Sequence, residues 1–162
     1  MQTAQKTPFY LVILYIISII TMVIFFFSDT LQKTNYVVSG VSMLPTFKDG
    51  EEIIYDNRNI EVQRFDCIIF VDCQNQTDIK RVYGLPNDTI KIENNIIYIN
   101  GNPIEDIIQY NDDFDGGIAN QEFQLNENEY FVLGDNRNYS KDSRHKEVGT
   151  INKQMIIGIV QN

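Results

Sequence analysis

The chain of 162 residues carries 13 Lys and Arg against 22 Asp and Glu, a net charge of −9, with one His and two Cys. That length leaves room for one compact domain beyond an N-terminal apolar run. The acidic balance argues against nucleic acid, whose binding requires phosphates to be neutralised, and supplies no basic patch for anionic lipid heads. Two cysteines are too few for a disulfide framework, and with a single histidine neither a metal nor a cofactor is expected.

Residues 9–27 hold no charge. At about 1.5 Å per residue this run is roughly 29 Å long as a helix, close to the hydrocarbon thickness of a bilayer, and it reads as a single transmembrane helix. A cleaved signal peptide is the competing reading. Against it, the run is long for such a segment, and Ser28-Asp29-Thr30-Leu31-Gln32 offers no small-x-small cleavage pattern. Lys6 is the only charged side chain before the run, which favours residues 1–8 in the cytoplasm and the remainder outside. The 12 basic and 22 acidic residues that follow leave the exported part at −10, a sign read as solubility.

Residues 28–34 form a polar connector, and 35–162 the extracytoplasmic domain. No segment there sustains a helical period, and the pattern is of short strands. Tyr36-Val37-Val38, Glu52 to Tyr55, Cys67 to Val71 and Thr77 to Tyr83 are the first four, with a turn cluster at Gly84-Leu85-Pro86-Asn87-Asp88. Thr89 to Glu93 and Ile96 to Gly101 flank Asn94-Asn95 as a hairpin. Residues 102–129 are acidic and polar and read as a variable surface insertion or substrate-side loop. Tyr130 to Leu133 and Met155 to Val160 return to strand. The predicted fold is mostly β: an antiparallel, partly closed β domain on a single N-terminal transmembrane helix. Cys67 and Cys73, about 20 Å apart if on one strand, are expected as free thiols.

The chemistry centres on Ser42, held between Gly40 and Pro45 on backbone that glycine and proline shape. By itself this stretch is equally an ordinary turn. Lys80 lies mid-strand between Ile79 and Val82-Tyr83; alone it reads as a solvated edge residue. Together the two supply a nucleophile and a base, since a serine hydroxyl needs a base and a lysine amine serves when neutral, a state that apolar burial favours. A third stretch, Gly134 to Arg144, is dense in polar residues directly after a strand and suits a supporting shell.

Three motifs carry a family resemblance: Ser-Gly-Val-Ser-Met-Leu-Pro-Thr at 39–46, Lys-Arg-Val-Tyr-Gly-Leu-Pro-Asn-Asp at 80–88 and Gly-Asp-Asn-Arg-Asn-Tyr-Ser-Lys-Asp-Ser-Arg at 134–144. In this order, behind an apolar N-terminal run, they resemble the type I signal peptidases, and more closely the short forms of Gram-positive bacteria. The resemblance implies a membrane-bound serine endopeptidase that removes signal peptides from exported preproteins after small-x-small sites. The bilayer is an expected partner, and the export translocon a further one. It implies Ser42 as nucleophile and Lys80 as general base, with Ser140 orienting the amine. Asp142 with Arg144 then form the ion pair that fixes that loop, and Asp135 and Arg137 are structural. Ser39 is not the nucleophile. The Ser42 backbone N–H is expected to donate to the oxyanion.

Gly40 stands where some enteric relatives carry a serine whose hydroxyl completes the oxyanion hole, so a backbone donor has to substitute here. Asn87 replaces the usual glycine of a Leu-Pro-Gly-Asp turn, and Phe65 stands where glycine commonly precedes the acidic Asp66. His145 reads as a loop residue, since the place of a histidine base in eukaryotic relatives is filled by Lys80. Two other readings compete. A non-proteolytic relative that assists pilus assembly has no need of the Ser-Lys pair, and a soluble self-cleaving repressor needs a DNA-binding head.

Overall fold

Short apolar stretches punctuated by Gly, Pro and Asn cut the chain into strands too brief to be stable singly, so their burial has to be mutual. The computed structural model describes residues 9–30, 33–58, 60–108 and 113–161. Segment 1–8 and residues 31 and 32 of the connector lie outside the described residues, as do 109–112 of the acidic region.

The chain divides into two units, 1–33 and 34–162. The first contains the helix α1, Phe9–Thr30. Its side chains are described from Phe9 to Phe25, and among the described residues no helix is long and apolar enough to cross a membrane. Tyr10, Leu14, Ile17, Met22 and Phe25 of this helix are all exposed.

The remaining elements are strands, β1 Lys33–Val37, β2 Glu52–Asp56, β3 Cys67–Val71, β4 Thr77–Gly84, β5 Thr89–Glu93, β6 Ile96–Ile99, β7 Asn102–Pro103, β8 Phe123–Gln124, β9 Glu129–Leu133, β10 Ile151–Asn152 and β11 Ile156–Val160, with short 3-10 turns at Gly117–Asn120, Arg137–Tyr139 and Lys153–Met155. They form a seven-stranded sheet in the order β1-β2-β11-β3-β4-β9-β10 and a four-stranded sheet in the order β7-β6-β5-β8. The recorded pairings are antiparallel. The larger sheet curls: Tyr36 of β1 donates its hydroxyl to Thr77 O at the start of β4 (3.3 Å), although three strands separate them in the sheet order.

Alternation along β3 feeds two cores. Cys67 and Ile69 pack with Val38, Met43, Ile53, Ile79 and Val160, while Ile68 and Phe70 pack with Val82, Tyr130, Val132 and Ile151. A third core lies where the small sheet meets β4 and β9, around Tyr83, Ile90, Ile97, Phe131 and Leu133. Residues 102–129, read from composition as a surface insertion, contribute Phe114, Ala119 and Leu125 to that core and two residues each to β7 and β8. The acidic surface of the segment conceals its apolar inner positions.

Left-handed backbone falls where the turns need it. Asn94 and Asn95 have φ of 51° and 64°, the mirror-type turn that joins β5 to β6, and Asn87 has φ 69°. Phe65 has φ 75°, a conformation costly for a bulky side chain, and this accounts for glycine suiting the position in the motif. Its ring packs edge-on against Tyr83 at 5.5 Å. Cys67 and Cys73 are both free, one buried and one exposed. Burial, ahead of all other influences, pushes the Cys67 thiol up to about 12.

Candidate active site

The Ser42 loop leaves β1 and is pinned from below. Met43, fully buried, packs into the core beside Val38 and Ile79. Gly50 N–H donates to Val38 O (2.8 Å) and Phe47 N–H to Met43 O (2.9 Å), which closes the loop on itself. Ser42, between exposed Val41 and buried Met43, is half-buried. Ser39 is exposed. Gly40 has φ 82° and donates its N–H to Asp49 Oδ1 at 2.7 Å, so that donor is engaged within the loop. The Ser42 N–H has no hydrogen-bond partner among the described residues.

Lys80 sits mid-strand in β4, opposite Ile68 of β3, and is 1% exposed. Its Nζ donates to Ser42 Oγ (3.1 Å), to Asp78 Oδ2 (2.6 Å) and to Ile79 O (2.9 Å). An amine buried to this degree on a well-packed strand has to find its partners within the protein, and these three groups supply them, two from its own strand.

The 134–144 segment closes over the loop from the end of β9. Asn136 N–H donates to Ser42 O (2.9 Å) and Asn136 Nδ2 to Val41 O (3.0 Å), fastening two successive carbonyls of the loop, one on each side of the Ser42 Cα. Gly134 permits this approach: a Cβ there would collide with Ser140 Oγ and lie 2.7 Å from Ser42 O. Asp135, 1% exposed, accepts from Arg81 Nε (2.8 Å) and Nη2 (2.6 Å) and from the Thr46 hydroxyl. Burial opposes the Arg81 charge, and the Asp135 hydrogen bond with its neighbouring charges outweighs burial, leaving the guanidinium above its ordinary value.

Asp142 and Arg144 make a buried fork, Arg144 Nε to Oδ1 at 2.8 Å and Nη2 to Oδ2 at 2.9 Å. Asp142 also accepts from Gly134 N–H (3.0 Å), and Arg144 Nη2 donates to Arg137 O (2.6 Å), so the pair ties both ends of the segment. Arg137 reaches out of the box, donating to Asp106 Oδ2 (2.8 Å) and stacking over the Tyr83 ring at 4.8 Å. His145 is half-exposed and its Nδ1 accepts from Asp142 N–H at 3.3 Å.

Ser42 and Lys80 therefore meet; Asp135 binds Arg81 and Thr46 beside them, while Asp142 and Arg144 tie the 134–144 segment and do not touch the pair. Ser140, expected to orient the amine, is buried, but its Oγ has no hydrogen-bond partner among the described residues and packs over Gly134. Asp78, Arg81, Thr46 and Asn136 are polar neighbours of the pair and its loop that sequence reasoning did not assign. Asp78 carried a usable signal: two residues before Lys80 on a strand, it shares the lysine's face.

A family model described as signal peptidase, peptidase S26, matches residues 9–162. The chain is 35% identical over 142 residues to a signal peptidase I V of Bacillus subtilis, spanning 79% of this chain and 83% of that one. It is 32% identical over 165 residues to a signal peptidase IB of Staphylococcus aureus, spanning 90% and 85%. The crystal structure of a signal peptidase I from Enterococcus faecalis superposes with a TM-score of 0.50 at 30% identity, over 62% of this chain and 97% of that one.

Proposed function

This chain belongs to the signal peptidase family, peptidase S26, and from that premise we propose that it is a membrane-anchored endopeptidase that removes signal peptides from exported preproteins with a Ser42–Lys80 dyad. The observation that carries the dyad is the 3.1 Å separation of Lys80 Nζ and Ser42 Oγ, with the lysine 1% exposed. Hydrogen-bond reach satisfies the geometric requirement on a general base.

In the reaction the neutral Lys80 amine takes the proton of Ser42 as Oγ attacks the carbonyl of the residue ending the export signal. The protonated amine then delivers that proton to the departing amino group. Water, deprotonated by the same amine, attacks the acyl-enzyme ester and releases Ser42. The Ser42 N–H, without a partner among the described residues, is available to the oxyanion; the Gly40 N–H, held by Asp49, is not. Asp135 and Asp142, through Arg81 and Arg144, hold the frame in which Ser42 sits. Substrate lies extended along strand edges, alternate side chains entering shallow apolar pockets that suit small-x-small sites.

The anchor in this reading is residues 9–27, within α1. Support comes from the uncharged sequence and from exposed Leu14, Ile17 and Met22, which on a helix in water would remain unburied. Taken from the sequence alone, the uncharged run 9–27 would extend about 29 Å as a helix, close to the thickness of a bilayer core.

The test is cleavage of a preprotein by the purified full chain in detergent, wild type against Ser42→Ala and Lys80→Arg. Both variants are expected to lose more than about a thousandfold in kcat/KM. Arginine keeps the charge and cannot give up its proton, so activity surviving in Lys80→Arg removes the base assignment.

A further inference from the structure

A neutral lysine amine has two N–H donors and one lone pair, and the neighbours of Lys80 Nζ sort into those roles. Asp78 Oδ2 (2.6 Å) and Ile79 O (2.9 Å) are a carboxylate and a carbonyl, which only accept, so each takes an N–H. Ser42 Oγ (3.1 Å) is the one neighbour that also donates. With three N–H groups the amine donates to all three neighbours; once one proton has left, the two acceptor-only groups keep their N–H bonds and the lone pair is left to face the hydroxyl proton.

We propose that Asp78 is the positioning residue that aims the Lys80 amine at Ser42, the role the family resemblance gives to Ser140. The proposal rests on the dyad reading above. Asp78 is itself immobilised: its Oδ1 accepts from Ile79 N–H at 2.8 Å, which turns Oδ2 toward the lysine. Strand periodicity places Asp78 and Lys80 on one face of β4, where the shorter acidic chain meets the amine from the solvent side. The side-chain exposures, 37% for Asp78 and 2% for Lys80, put the carboxylate at the boundary between water and the buried amine. Ser140 Oγ meanwhile has no hydrogen-bond partner among the described residues.

Asp78 also fronts a cavity of about 300 Å³ with Asp72 of the β3–β4 turn and with Lys141 and Glu147 from the stretch after β9. From β1 comes the Tyr36 phenol, raised first by burial and then by the Asp78 charge. Within this set Asp78 is the acid bonded directly to the dyad. A carboxylate so placed orients the amine, which speeds the chemical step and leaves substrate binding alone. A side chain that merely supported the fold would not have its loss confined to kcat and restored by a near-isosteric acceptor.

The experiment measures kcat and KM for the full chain in detergent on a preprotein substrate, comparing wild type with Asp78→Ala, Asp78→Asn, Ser140→Ala and Lys80→Met. Asp78→Ala is expected to lose on the order of tenfold in kcat, with KM little changed. Asp78→Asn, near-isosteric and still an acceptor, recovers most of kcat, which separates positioning from loss of fold. Ser140→Ala costs less in kcat than Asp78→Ala. The proposal is overturned if Ser140→Ala costs more in kcat than Asp78→Ala, or if Asp78→Asn recovers none of the loss. Activity in Lys80→Met would instead overturn the dyad reading itself; an inactive Lys80→Met beside a wild-type-like Asp78→Ala overturns the proposal alone.

Discussion

Replacing Asp135 with Ala removes the acceptor at the centre of the frame under Ser42. The carboxylate takes two N–H bonds from Arg81, at 2.8 and 2.6 Å, and the Thr46 hydroxyl, and it is 1% exposed. Breaking a buried ion pair costs about 3–5 kcal/mol because the surviving charge stays desolvated. Arg81 retains its bond to Phe65 O (2.9 Å) and its side chain is 10% exposed, so the low end applies, about 3 kcal/mol. For a domain of this size that is a fall of roughly 10 °C in Tm. Arg81→Ala alone costs a similar amount, and the double variant less than the sum, giving a coupling of about 2 kcal/mol. The measurement is reversible thermal unfolding of the four proteins in one detergent buffer, followed by circular dichroism. Additive losses, within about 0.5 kcal/mol, would show that the pair does not act as a unit and would refute the reasoning.

Gly134→Ala drives a methyl into Ser140 Oγ and sets it 2.7 Å from Ser42 O. Overpacking of that kind costs about 1–3 kcal/mol, and a displaced nucleophile lowers kcat by up to about a hundredfold with less change in KM; a variant with wild-type kcat removes the argument that this contact places Ser42. Cys67 keeps its proton in the folded protein up to about pH 12, against an ordinary 9.0. The raised value means its contribution to stability is complete below pH 9.0 and is lost as pH rises toward 12, at up to about 1.4 kcal/mol per unit. Chemical denaturation of wild type across that range is expected to show a steeper loss than Cys67→Ala, and equal slopes sink the claim.

How much of this was legible in sequence depended on whether a residue's role was local. The Asn94-Asn95 hairpin and the Asn87 turn were readable because asparagine tolerates left-handed backbone, and φ values of 51°, 64° and 69° agree. β3 to β6 follow from their apolar runs. β7, β8 and β10, at two residues each, are too short for any period to register, and they hid the division into two sheets. The acidic composition of 102–129 outweighed Phe114 and Leu125, which are buried by partners from β5 and β9 that no local pattern names. In the site, Ser42 and Lys80 stood out by residue type and motif. Asp78 did not, because an aspartate near a strand end is ordinarily solvated; its meaning comes from the buried amine beside it. Arg81 and Asp135 lie 54 residues apart, and nothing in either neighbourhood announces the other.

The fastening of Ser42 by Asn136 has a consequence for the order in which the protein is made. The bonds from Asn136 to Val41 and from Thr46 to Asp135 join residues 95 and 89 positions apart, whereas Ser42 and Lys80 are separated by 38. A nascent chain that has emerged as far as β4 already holds both members of the dyad in sequence, yet lacks the segment that fixes one against the other. Contacts of such separation form late, after the loops between them have closed. On the mechanism proposed above, an unfinished copy would have no competent nucleophile until the chain has folded through residue 144.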